Sequence, residues 1–554
     1  MDNSSLYRLP LSQLSGRQFD VIVVGGGITG AGVAQDAASR GLSVLLLEKG
    51  DFASGTSSKS TKLIHGGLRY LANFQFGVVY ESVTERIVQG RIAPHMVHWL
   101  PFIIPRYKQN FLNNIKWEAG LWVYDGMAGL VGKHFHKRIK VGEITRLCPG
   151  IRADGLGGGL LYYDCRTDDA RHTLEVIRSA AQHGCVTRNY TRVTSFLRDR
   201  GDVRGVEVAD ALTGETGVKI YGKVVVNATG VWTQKTQELS GQANVSVAPA
   251  KGVLHVEPAK GVHFTIKRER LPIQCALLVP TGADGRFCFA VPWYDSVLIG
   301  TTDTPFKGDF DRLTVEDEEV AYILDAVNKQ FPGVNLTAAD VTGKFAGLRP
   351  LISDSKAGGG TTKVSRKHSL KLSDDGLITI AGGKLTTYRP MAAETVDLVA
   401  LQLELDGVKA GPCVTEKLML GGWDAEVRNL ETVKEVFRAM AERVKIPAAT
   451  ADVLVQMYGR RAMEVAELVS EYPELAEPVS ASHPYILAQV VYAVGYESAV
   501  TLEDVLARRI RLSITDAEEA KASAQKVSNL MAKMLGWDDA TRQRMVTDFI
   551  ASVL

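Results

Sequence analysis

The chain lacks the features that tie a protein to a membrane span, a metal or a nucleic acid. No apolar run approaches the roughly 20 residues that a spanning helix needs, and residues 1–17 lack the apolar core of a secretory signal. The six cysteines include no Cys-x-x-Cys pair, which argues against a metal cluster or a disulfide framework. A formal net charge of +2 gives no basis for nucleic-acid binding. These absences favour a protein of the reducing cytoplasm with no metal site.

The most informative stretch is a strand–helix–strand unit within residues 20–50. A short apolar run leads into the Gly-x-Gly-x-x-Gly of Gly25, Gly27 and Gly30, a helical segment follows, and a second apolar run ends in Glu48. In this fingerprint the first glycine permits a tight turn, the second lets the backbone approach a pyrophosphate, and the third lets the helix pack on the strand. Free N–H groups at the helix start favour the pyrophosphate, and Glu48 is predicted to accept hydrogen bonds from a ribose. The unit predicts a bound dinucleotide.

Three later segments indicate that the dinucleotide is FAD rather than NAD. Residues 55–70 are rich in hydroxyls and glycine, and residues 223–232 form an apolar strand that ends in Ala-Thr-Gly. Residues 377–389 combine a strand, a glycine pair and a helix start, whose dipole would stabilise an anionic reduced flavin. Contacts spread along the chain fit FAD bound in an extended form. The predicted cofactor-binding residues are Gly25, Gly27, Gly30, Glu48, Thr56, Ser57, Ser58, Lys62, Leu63, Ala228, Thr229, Gly230, Gly383, Leu385 and Thr386.

Several segments, in a fixed order over roughly residues 18–515, carry a specific resemblance. The strings Ile-His-Gly-Gly-Leu-Arg-Tyr at 64–70 and Gly-Gly-Lys-Leu-Thr-Thr-Tyr-Arg at 382–389 are the most specific of them. In these strings the chain resembles the FAD-dependent, respiratory glycerol-3-phosphate dehydrogenases of the D-amino-acid-oxidase-like superfamily. Val231 departs from the family, which usually has proline there, but the change removes no functional group. The other matching segments are 25–32, 163–171, 260–263, 299–303, 347–351 and 501–511.

The resemblance implies an enzyme that oxidises sn-glycerol 3-phosphate to dihydroxyacetone phosphate, with FAD as the hydride acceptor. A membrane quinone is the implied next acceptor, so the enzyme is expected to be cytoplasmic and peripheral on the inner face of the cell membrane. A homodimer is left open as an alternative to a monomer. Three alternatives also stay open: a glycerol-3-phosphate oxidase that makes hydrogen peroxide, a non-catalytic or scaffold flavoprotein, and an amine or amino-acid oxidase of the same fold.

The site residues follow from the family motifs and from the needs of alcohol oxidation. His263 is a candidate base because imidazole titrates near neutrality, and His65, beside the flavin segment, is its rival. Arg349 lies between apolar residues and must be paired, either by a substrate phosphate or by an internal carboxylate. Lys384, just before a predicted helix start, is a candidate for stabilising the alkoxide. The predicted substrate-binding set is Arg69, Tyr70, Arg349 and Lys384.

The patterns along the chain predict an α/β fold of three parts: a Rossmann-type FAD-binding domain, an inserted antiparallel β-sheet substrate domain, and a helical C-terminal domain. With 554 residues, 45% of them apolar, the chain can bury such a core. The FAD domain is assigned residues 18–95, 160–245 and 345–405, the substrate or cap region 96–159 and 246–344, and the helical domain 411–554. Helical patterns in the last part cover 425–444, 449–458, 462–472, 502–512 and 516–535.

Residues 102–140 mix aromatic and aliphatic side chains and end in the basic run 133–140. An amphipathic, Trp-bearing segment of this kind can lie in a membrane interface. The alternative is a helix packed on the FAD domain with a solvated, charged end.

Overall fold

Strands and helices alternate from the start of the chain. The computed structural model describes residues 5–108, 111–129, 134–240, 254–282, 286–352, 368–423 and 429–553. The strands, in chain order, are β1 (Gln18–Val24), β2 (Val44–Leu47), β3 (Leu63–Ile64), β4 (His98–Tyr107), β5 (Lys137–Ile139), β6 (Leu156–Arg166), β7 (Val186–Arg188), β8 (Thr191–Asp199), β9 (Asp202–Asp210), β10 (Val218–Asn227), β11 (Val256–Lys267), β12 (Ala276–Pro280), β13 (Phe287–Trp293), β14 (Ser296–Gly300), β15 (Thr304–Pro305), β16 (Val341–Ile352), β17 (Ser369–Leu372) and β18 (Ile378–Ala381).

The α-helices are distributed through both halves of the chain and predominate in the C-terminal part. In chain order they are α1 (Ile28–Ser39), α2 (Phe76–Ile92), α3 (Phe111–Met127), α4 (Val141–Leu147), α5 (Asp169–Gln182), α6 (Thr233–Glu238), α7 (Asp317–Gln330), α8 (Tyr388–Leu405), α9 (Leu430–Arg443), α10 (Ala448–Tyr458), α11 (Ala462–Glu471), α12 (Leu487–Tyr496), α13 (Leu512–Thr515), α14 (Ala517–Leu535) and α15 (Asp539–Ser552).

The first sheet is mainly parallel and carries the dinucleotide fingerprint. Its order is β17-β18-β10-β1-β2-β7, and the β8–β9 hairpin extends from β10. At the carboxyl end of β1, Val24 lies beside Leu47 on one side and Asn227 on the other. The strands are apolar on both faces because α1, α5 and α8 cover one face and the hairpin covers the other. The carboxyl ends of β1, β2 and β10 therefore meet where a dinucleotide binds in such sheets.

The second sheet is mainly antiparallel, as expected for the substrate domain. Its order is β15-β11-β14-β13-β12-β4-β6-β3, with β16 beside β11 and β5 beside β6, and β4 runs parallel to β12. Helices α4 and α7 pack on one face around an apolar core. Strand β16 belongs to this sheet, so residues 345–352 lie in the substrate sheet and not in the FAD sheet to which the sequence analysis assigned them. Residues 160–166, in β6, also lie in the substrate sheet, although the sequence analysis assigned them to the FAD domain.

The segment 102–140 is not one amphipathic helix. Residues 102–107 belong to β4, residues 111–127 form α3, and β5 follows. Phe102, Leu121 and Tyr124 are buried, whereas Ile115 and Trp122 are exposed. The apolar side chains of this segment therefore divide between the core and the surface. Among the described residues, no helix is both long and apolar enough to cross a bilayer.

Helices α9–α15 pack around a core of their own, which includes Phe437, Tyr458 and Tyr492. The helices predicted at 449–458, 462–472 and 516–535 agree with α10, α11 and α14 to within one residue at each end. The helix predicted at 502–512 is instead a π-helical turn, Asp504–Arg509, followed by α13. The one predicted at 425–444 begins at Leu430, and residues 424–428 lie outside the described chain. The mixed α/β fold with a helical C-terminal domain is the predicted one.

Candidate active site

The turn between β1 and α1 leaves no room for side chains. Gly25 has a φ of +112°, and a Cβ there would lie 2.6 Å from the carbonyl oxygen of Ala228, which follows β10. A Cβ on Gly30 would lie 1.9 Å from the carbonyl oxygen of Gly25. Glycine is therefore required at both positions, one for the turn and one for the close approach of helix and strand.

Glu48 fixes the same turn from the end of β2. Its carboxylate accepts hydrogen bonds from the N–H groups of Gly26, at 2.7 Å, and Gly50, at 2.9 Å. Burial raises the pKa of Glu48, although the two N–H groups act against that rise. A carboxylate held at this point of the fold is placed to accept hydrogen bonds from a ribose.

Residues 55–62, which we call the flavin loop, connect this turn to the second sheet. The N–H of Ile28, in the first turn of α1, donates to Ser57 Oγ at 2.8 Å, and a Cβ on Gly27 would lie 3.1 Å from the same oxygen. Thr56 Oγ1 donates to the carbonyl oxygen of Leu348 at 2.6 Å. Ser58 Oγ reaches the Gly55 carbonyl at 3.5 Å, a long contact. The loop therefore lies against the start of α1 and β16 together.

The two later glycine segments lie close to these elements. Gly383 has a φ of +76°, and a Cβ there would lie 2.3 Å from Met391 Sδ. After it, a 3₁₀ turn, Leu385–Thr387, leads into α8. Thr386 Oγ1 lies 3.2 Å from the N–H and 3.3 Å from the carbonyl oxygen of His65. Behind the end of β10, Thr229 Oγ1 donates to Asn227 Oδ1 at 2.7 Å, and Gly230 has a φ of +59°.

A cavity of about 530 Å³ opens between the residues that follow the flavin loop and the second sheet. Its apolar wall includes Phe102, Tyr162 and Phe289, and its polar lining includes three of the residues predicted for substrate and catalysis: His65, Tyr70 and Arg349. A concave, mostly apolar cavity with a few converging polar groups is the usual form of a small-ligand site. The polar and charged lining residues are His65, Tyr70, Asp164, Thr281, Arg286, Thr301, Thr302, Asp303, Thr304, Glu318, Glu319, Tyr322 and Arg349.

Arg349 lies in this cavity and already has protein partners. Its Nη1 donates to Asp303 Oδ1 at 3.0 Å, and its Nη2 donates to Thr301 Oγ1 at 2.9 Å and to the Thr302 carbonyl at 3.1 Å. The internal carboxylate that the sequence left open as a partner is thus Asp303. The Arg349 side chain remains 24% exposed, so it can also contact a ligand in the cavity.

The other predicted substrate ligands are only partly brought together. Tyr70 lines the cavity, and Lys384 Nζ lies 4.1 Å from the centre of its ring. Lys384 also donates to Ser82 Oγ in α2, at 3.0 Å, so it supports Tyr70 from the side of that helix. The backbone of Arg69 lies in a 3₁₀ helix, Leu68–Asn73, and its side chain lies outside the described part of the structure.

The two candidate histidines differ in their surroundings. His65 lines the cavity, with its ring centre 6.4 Å from that of Phe289. His263 is buried in β11: its Nε2 lies 2.9 Å from Thr61 Oγ1, and its ring stacks on Phe345 at 5.1 Å. Burial, and next the charges of Arg349 and Lys62, lower the pKa of His263 well below its usual value. His263 is therefore neutral at pH 7.

Four carboxylates line the cavity and none was predicted from the sequence; two of them, Asp164 and Asp303, contact groups named above. Asp303 orients Arg349, and Asp164 accepts hydrogen bonds from Tyr124 and Arg86. The same Tyr124 hydroxyl accepts from the N–H of Gly66, at 2.8 Å. Both carboxylates lie in segments that carried the family resemblance, 299–303 and 163–171, which is the signal that could have found them. Within the described residues, no group of three or more His, Cys, Asp or Glu could hold a metal ion.

This fold and this site define a FAD-dependent oxidoreductase. Residues 20–389 match the family described as FAD dependent oxidoreductase, and residues 413–542 match the C-terminal domain of alpha-glycerophosphate oxidase. The residues present fit the cofactor: the close-packed glycine turn brings the start of α1 to the carboxyl ends of β1 and β10, where a pyrophosphate binds in such sheets, and Glu48 lies at the end of β2, where such folds bind a ribose. FAD, the predicted cofactor, is confirmed.

Full-length relatives define the family more closely. The chain is 39% identical over 545 residues to a glycerol-3-phosphate dehydrogenase of Mycobacterium leprae, covering 97% of this chain and 88% of the relative. It is 35% identical over 541 residues to the aerobic glycerol-3-phosphate dehydrogenase of Bacillus subtilis, covering 96% and 94%. The structure of the Bacillus halodurans glycerol-3-phosphate dehydrogenase complexed with FAD matches with a TM-score of 0.80 at 33% identity, covering 98% and 96%. The chain belongs to the family of FAD-dependent glycerol-3-phosphate dehydrogenases, as the sequence motifs predicted.

Proposed function

We propose that the protein oxidises sn-glycerol 3-phosphate to dihydroxyacetone phosphate and passes the electrons to a membrane quinone. The observation that carries the proposal is the cavity lined by Arg349, Tyr70 and His65, beside the segments predicted to hold FAD. Relatives named as glycerol-3-phosphate dehydrogenases, similar over nearly the whole length, support the substrate.

The residues of the cavity supply binding and proton transfer. FAD, when bound, supplies the hydride acceptor. Arg349 binds the phosphate, because it lines the cavity and its planar, charged guanidinium is oriented by Asp303 and Thr301. His65 accepts the proton of the substrate hydroxyl, since it lines the cavity and Thr386 fixes its backbone. His263, bound to Thr61, stays the second candidate for that base.

Replacing each histidine separately distinguishes the two candidates. The variants His65→Gln and His263→Gln keep a polar side chain but cannot act as a base. If His65 is the base, its variant loses about 100-fold or more in the rate of flavin bleaching by substrate, and the His263 variant loses much less. The opposite order of effects would transfer the role to His263.

The first experiment tests the substrate and then the acceptor. Under anaerobic conditions, sn-glycerol 3-phosphate should bleach the yellow flavin of the purified protein, whereas amino acids and amines should not. Bleaching by an amino acid alone would identify an oxidase of the same fold. The reduced protein is then mixed with a quinone analogue or with oxygen. Rapid reoxidation by the quinone supports the dehydrogenase, and stoichiometric hydrogen peroxide from oxygen would identify a glycerol-3-phosphate oxidase.

The phosphate contact can be tested separately. We expect Arg349→Ala to retain FAD but to lose roughly 2–5 kcal/mol in kcat/KM for glycerol 3-phosphate, because a charged partner of the phosphate is removed. Glycerol has no phosphate for Arg349 to bind, so the already low rate at which it is oxidised should change much less. Equal losses on both substrates would contradict the role of Arg349.

We also propose peripheral attachment to the inner face of the cell membrane. Exposed apolar side chains on the packed helices α2 and α3 support it, including Tyr80, Ile115 and Trp122. The basic end contributes less than its sequence suggests, because Lys137 pairs with Glu143 and Arg138 pairs with Glu118. Residues 130–133, including Lys133, lie outside the described chain.

Liposome flotation tests this surface. The double variant Ile115→Glu with Trp122→Glu should float with anionic liposomes less than the parent, while its activity with a water-soluble dye is retained. Leu405, an exposed leucine at the end of α8, provides the matched control, because Leu405→Glu makes the same kind of change elsewhere. Equal flotation of the parent and the double variant would exclude α3 as the anchor.

A further inference from the structure

The flavin loop is tied down by one buried carboxylate at the start of α5. Asp169 Oδ2 accepts hydrogen bonds from the N–H of Ser60, at 2.9 Å, and from its hydroxyl, at 2.7 Å. Asp169 Oδ1 accepts from Lys62 Nζ at 2.9 Å, and the same ammonium donates to the Ser58 carbonyl at 3.0 Å. Both charged side chains are fully buried. Three groups of the loop thus depend on a single carboxylate.

A residue of the C-terminal domain completes this cluster. Arg511 precedes α13, is 1% exposed, and donates from Nη2 to Asp169 Oδ1 at 2.9 Å and to the Ser58 carbonyl at 3.1 Å. Its Nη1 donates to the carbonyl of Ala507 at 3.0 Å, which fixes the guanidinium to its own domain. Its Nε lies 3.4 Å from Asp168 Oδ1. The side chain therefore reaches across the domain boundary and contacts the same two acceptors as Lys62.

The charges in the cluster balance. Lys62 and Arg511 face Asp168 and Asp169. Burial acts to raise the pKa of Asp169, but the Lys62 and Arg511 charges outweigh it and lower that pKa. Burial, and next the charge of Arg511, lower the pKa of Lys62 to about 8, so Lys62 is still protonated at pH 7. Removal of Arg511 would leave two buried carboxylates facing one buried cation.

The flavin loop leads directly to the reacting region. Thr61 lies between the two anchored residues Ser60 and Lys62, and its hydroxyl is 2.9 Å from His263 Nε2. Lys62 Nζ lies 4.8 Å from the centre of the Phe345 ring, on which His263 stacks. Leu63 and His65, which come next in the chain, line the cavity. A shift of the anchored loop is therefore passed on to both candidate bases within a few residues.

We propose that Arg511 is a positioning residue for the oxidation, through which the C-terminal domain holds the flavin loop and the cavity histidines in place. The proposal rests on the proposed oxidation of glycerol 3-phosphate for its kinetic test alone. The helical domain is, on this proposal, a structural part of the active site. Its other buried arginines serve different contacts: Arg461 pairs with Glu175, inside α5, and Arg508 and Arg509 pair with Asp51.

The test compares Arg511→Met with Arg461→Met. Both changes remove a buried arginine that pairs with a carboxylate of α5, but only Arg511 contacts the flavin loop. For Arg511→Met we expect kcat per bound FAD to fall about 10- to 100-fold, because small displacements of reacting groups have effects of this size. The KM for glycerol 3-phosphate should change less than about 3-fold, since the contacts of Arg349 are unchanged. For Arg461→Met, only the melting temperature should fall.

A second readout needs no substrate. The visible circular dichroism of the bound flavin should change in Arg511→Met and stay that of the parent in Arg461→Met, because only the first variant releases the loop. Arg511→Lys, which keeps the charge but not the two-pronged contact, should recover part of the lost kcat. It also provides the test if the methionine variant does not fold. Equal kcat and equal flavin spectra for the parent and the Arg511 variants would overturn the proposal. A parent that glycerol 3-phosphate fails to bleach would instead contradict the proposed substrate and leave the spectral comparison valid.

Discussion

The turn at residues 25–30 and the flavin loop border the same cofactor site, but they are held in place by different interactions. The turn is held by backbone contacts: two glycines leave no room for a Cβ against neighbouring carbonyl oxygens. The loop is held by buried charges from three parts of the chain, Lys62, Asp169 and Arg511. The glycine motif of the turn is visible within a short stretch of sequence, although Gly25 packs against the distant Ala228. A buried ion cluster depends on partners more than 100 residues apart in the sequence.

The largest effect, loss of FAD, is expected when a single methyl group is added to the turn. Gly30→Ala adds one methyl group, 1.9 Å from the Gly25 carbonyl, which no side-chain movement can relieve. We expect the variant to retain no FAD, measured as the ratio of flavin to protein after purification. Gly77→Ala is the control, because Gly77 lies in α2 with open space around it, and it should stabilise the helix slightly. A yellow Gly30→Ala protein would show that the turn is not held by this contact.

A change in the ion cluster of Lys62, Asp169 and Arg511 should have the next largest effect. It should lower the stability of the protein and not only its retention of FAD. Asp169→Asn leaves Lys62 and Arg511 without a buried carboxylate, so we expect the free energy of unfolding to fall by about 3–5 kcal/mol. Urea unfolding measures this. The double variant Asp169→Asn with Lys62→Met should lose less than the sum of the two single variants, because each already breaks the same contact. Strict additivity would mean that the two residues act independently.

As the pH falls, we expect the free energy of unfolding to decrease first through protonation of the buried histidines. Protonation of the carboxylates in the ion cluster should follow only at lower pH. Burial lowers the pKa of His95 to about 3 and that of His172 to about 4. Since both values lie below the unfolded value near 6.5, the unfolded chain binds more protons between these limits, and stability falls as the pH falls below 6.5. Each histidine should lower the free energy of unfolding by about 2 kcal/mol between pH 6.5 and pH 5. Urea unfolding of the parent and of His172→Gln at both pH values checks this, and the variant should be less acid-sensitive.

The smallest effect is expected at Asp303, where the charge contact is partly exposed. Asp303→Asn keeps an acceptor for Arg349 but removes a negative charge close to the proposed phosphate position. The apparent affinity for glycerol 3-phosphate should improve by about 1 kcal/mol, roughly 5-fold in KM. The gain should shrink in 0.5 M salt, because screening acts on exposed charges. A higher KM in the variant would mean that the carboxylate is needed to orient Arg349.

The contrast between the turn at residues 25–30 and the flavin loop also explains which features could be predicted from the sequence. The fingerprint, the three glycine segments and the order of the family motifs led to FAD, to the family and to the division into parallel sheet, antiparallel sheet and helices. Arg349 was assigned to a site because an arginine between apolar residues needs a partner. That this partner is Asp303 depends on a cross-strand arrangement, 46 residues apart, that no local pattern encodes.

Residues whose role depends on burial were predicted least well. Phe102, taken as part of a membrane-facing segment, is buried in β4 because the strand is central in the second sheet. His263 was predicted as a candidate base, but the sequence does not reveal that Thr61 and Phe345 enclose its ring. Arg511 lies in a segment that resembled the family, yet its contact with the flavin loop, 453 residues earlier at Ser58, could not be read from it.

The order of strands in the first sheet also determines when the cofactor site can form during synthesis. Strand β1 pairs with β10, whose last paired residue, Asn227, is made about 200 residues after Val24, roughly 10 to 40 seconds later at ordinary rates of translation. Until then the turn at Gly25 lacks the Ala228 carbonyl against which it packs. The flavin loop waits longer, because Arg511 is made 453 residues after Ser58, whose carbonyl it binds. The packed turn therefore forms only after β10 has been made, and the ion cluster that holds the flavin loop forms only after Arg511 has been made.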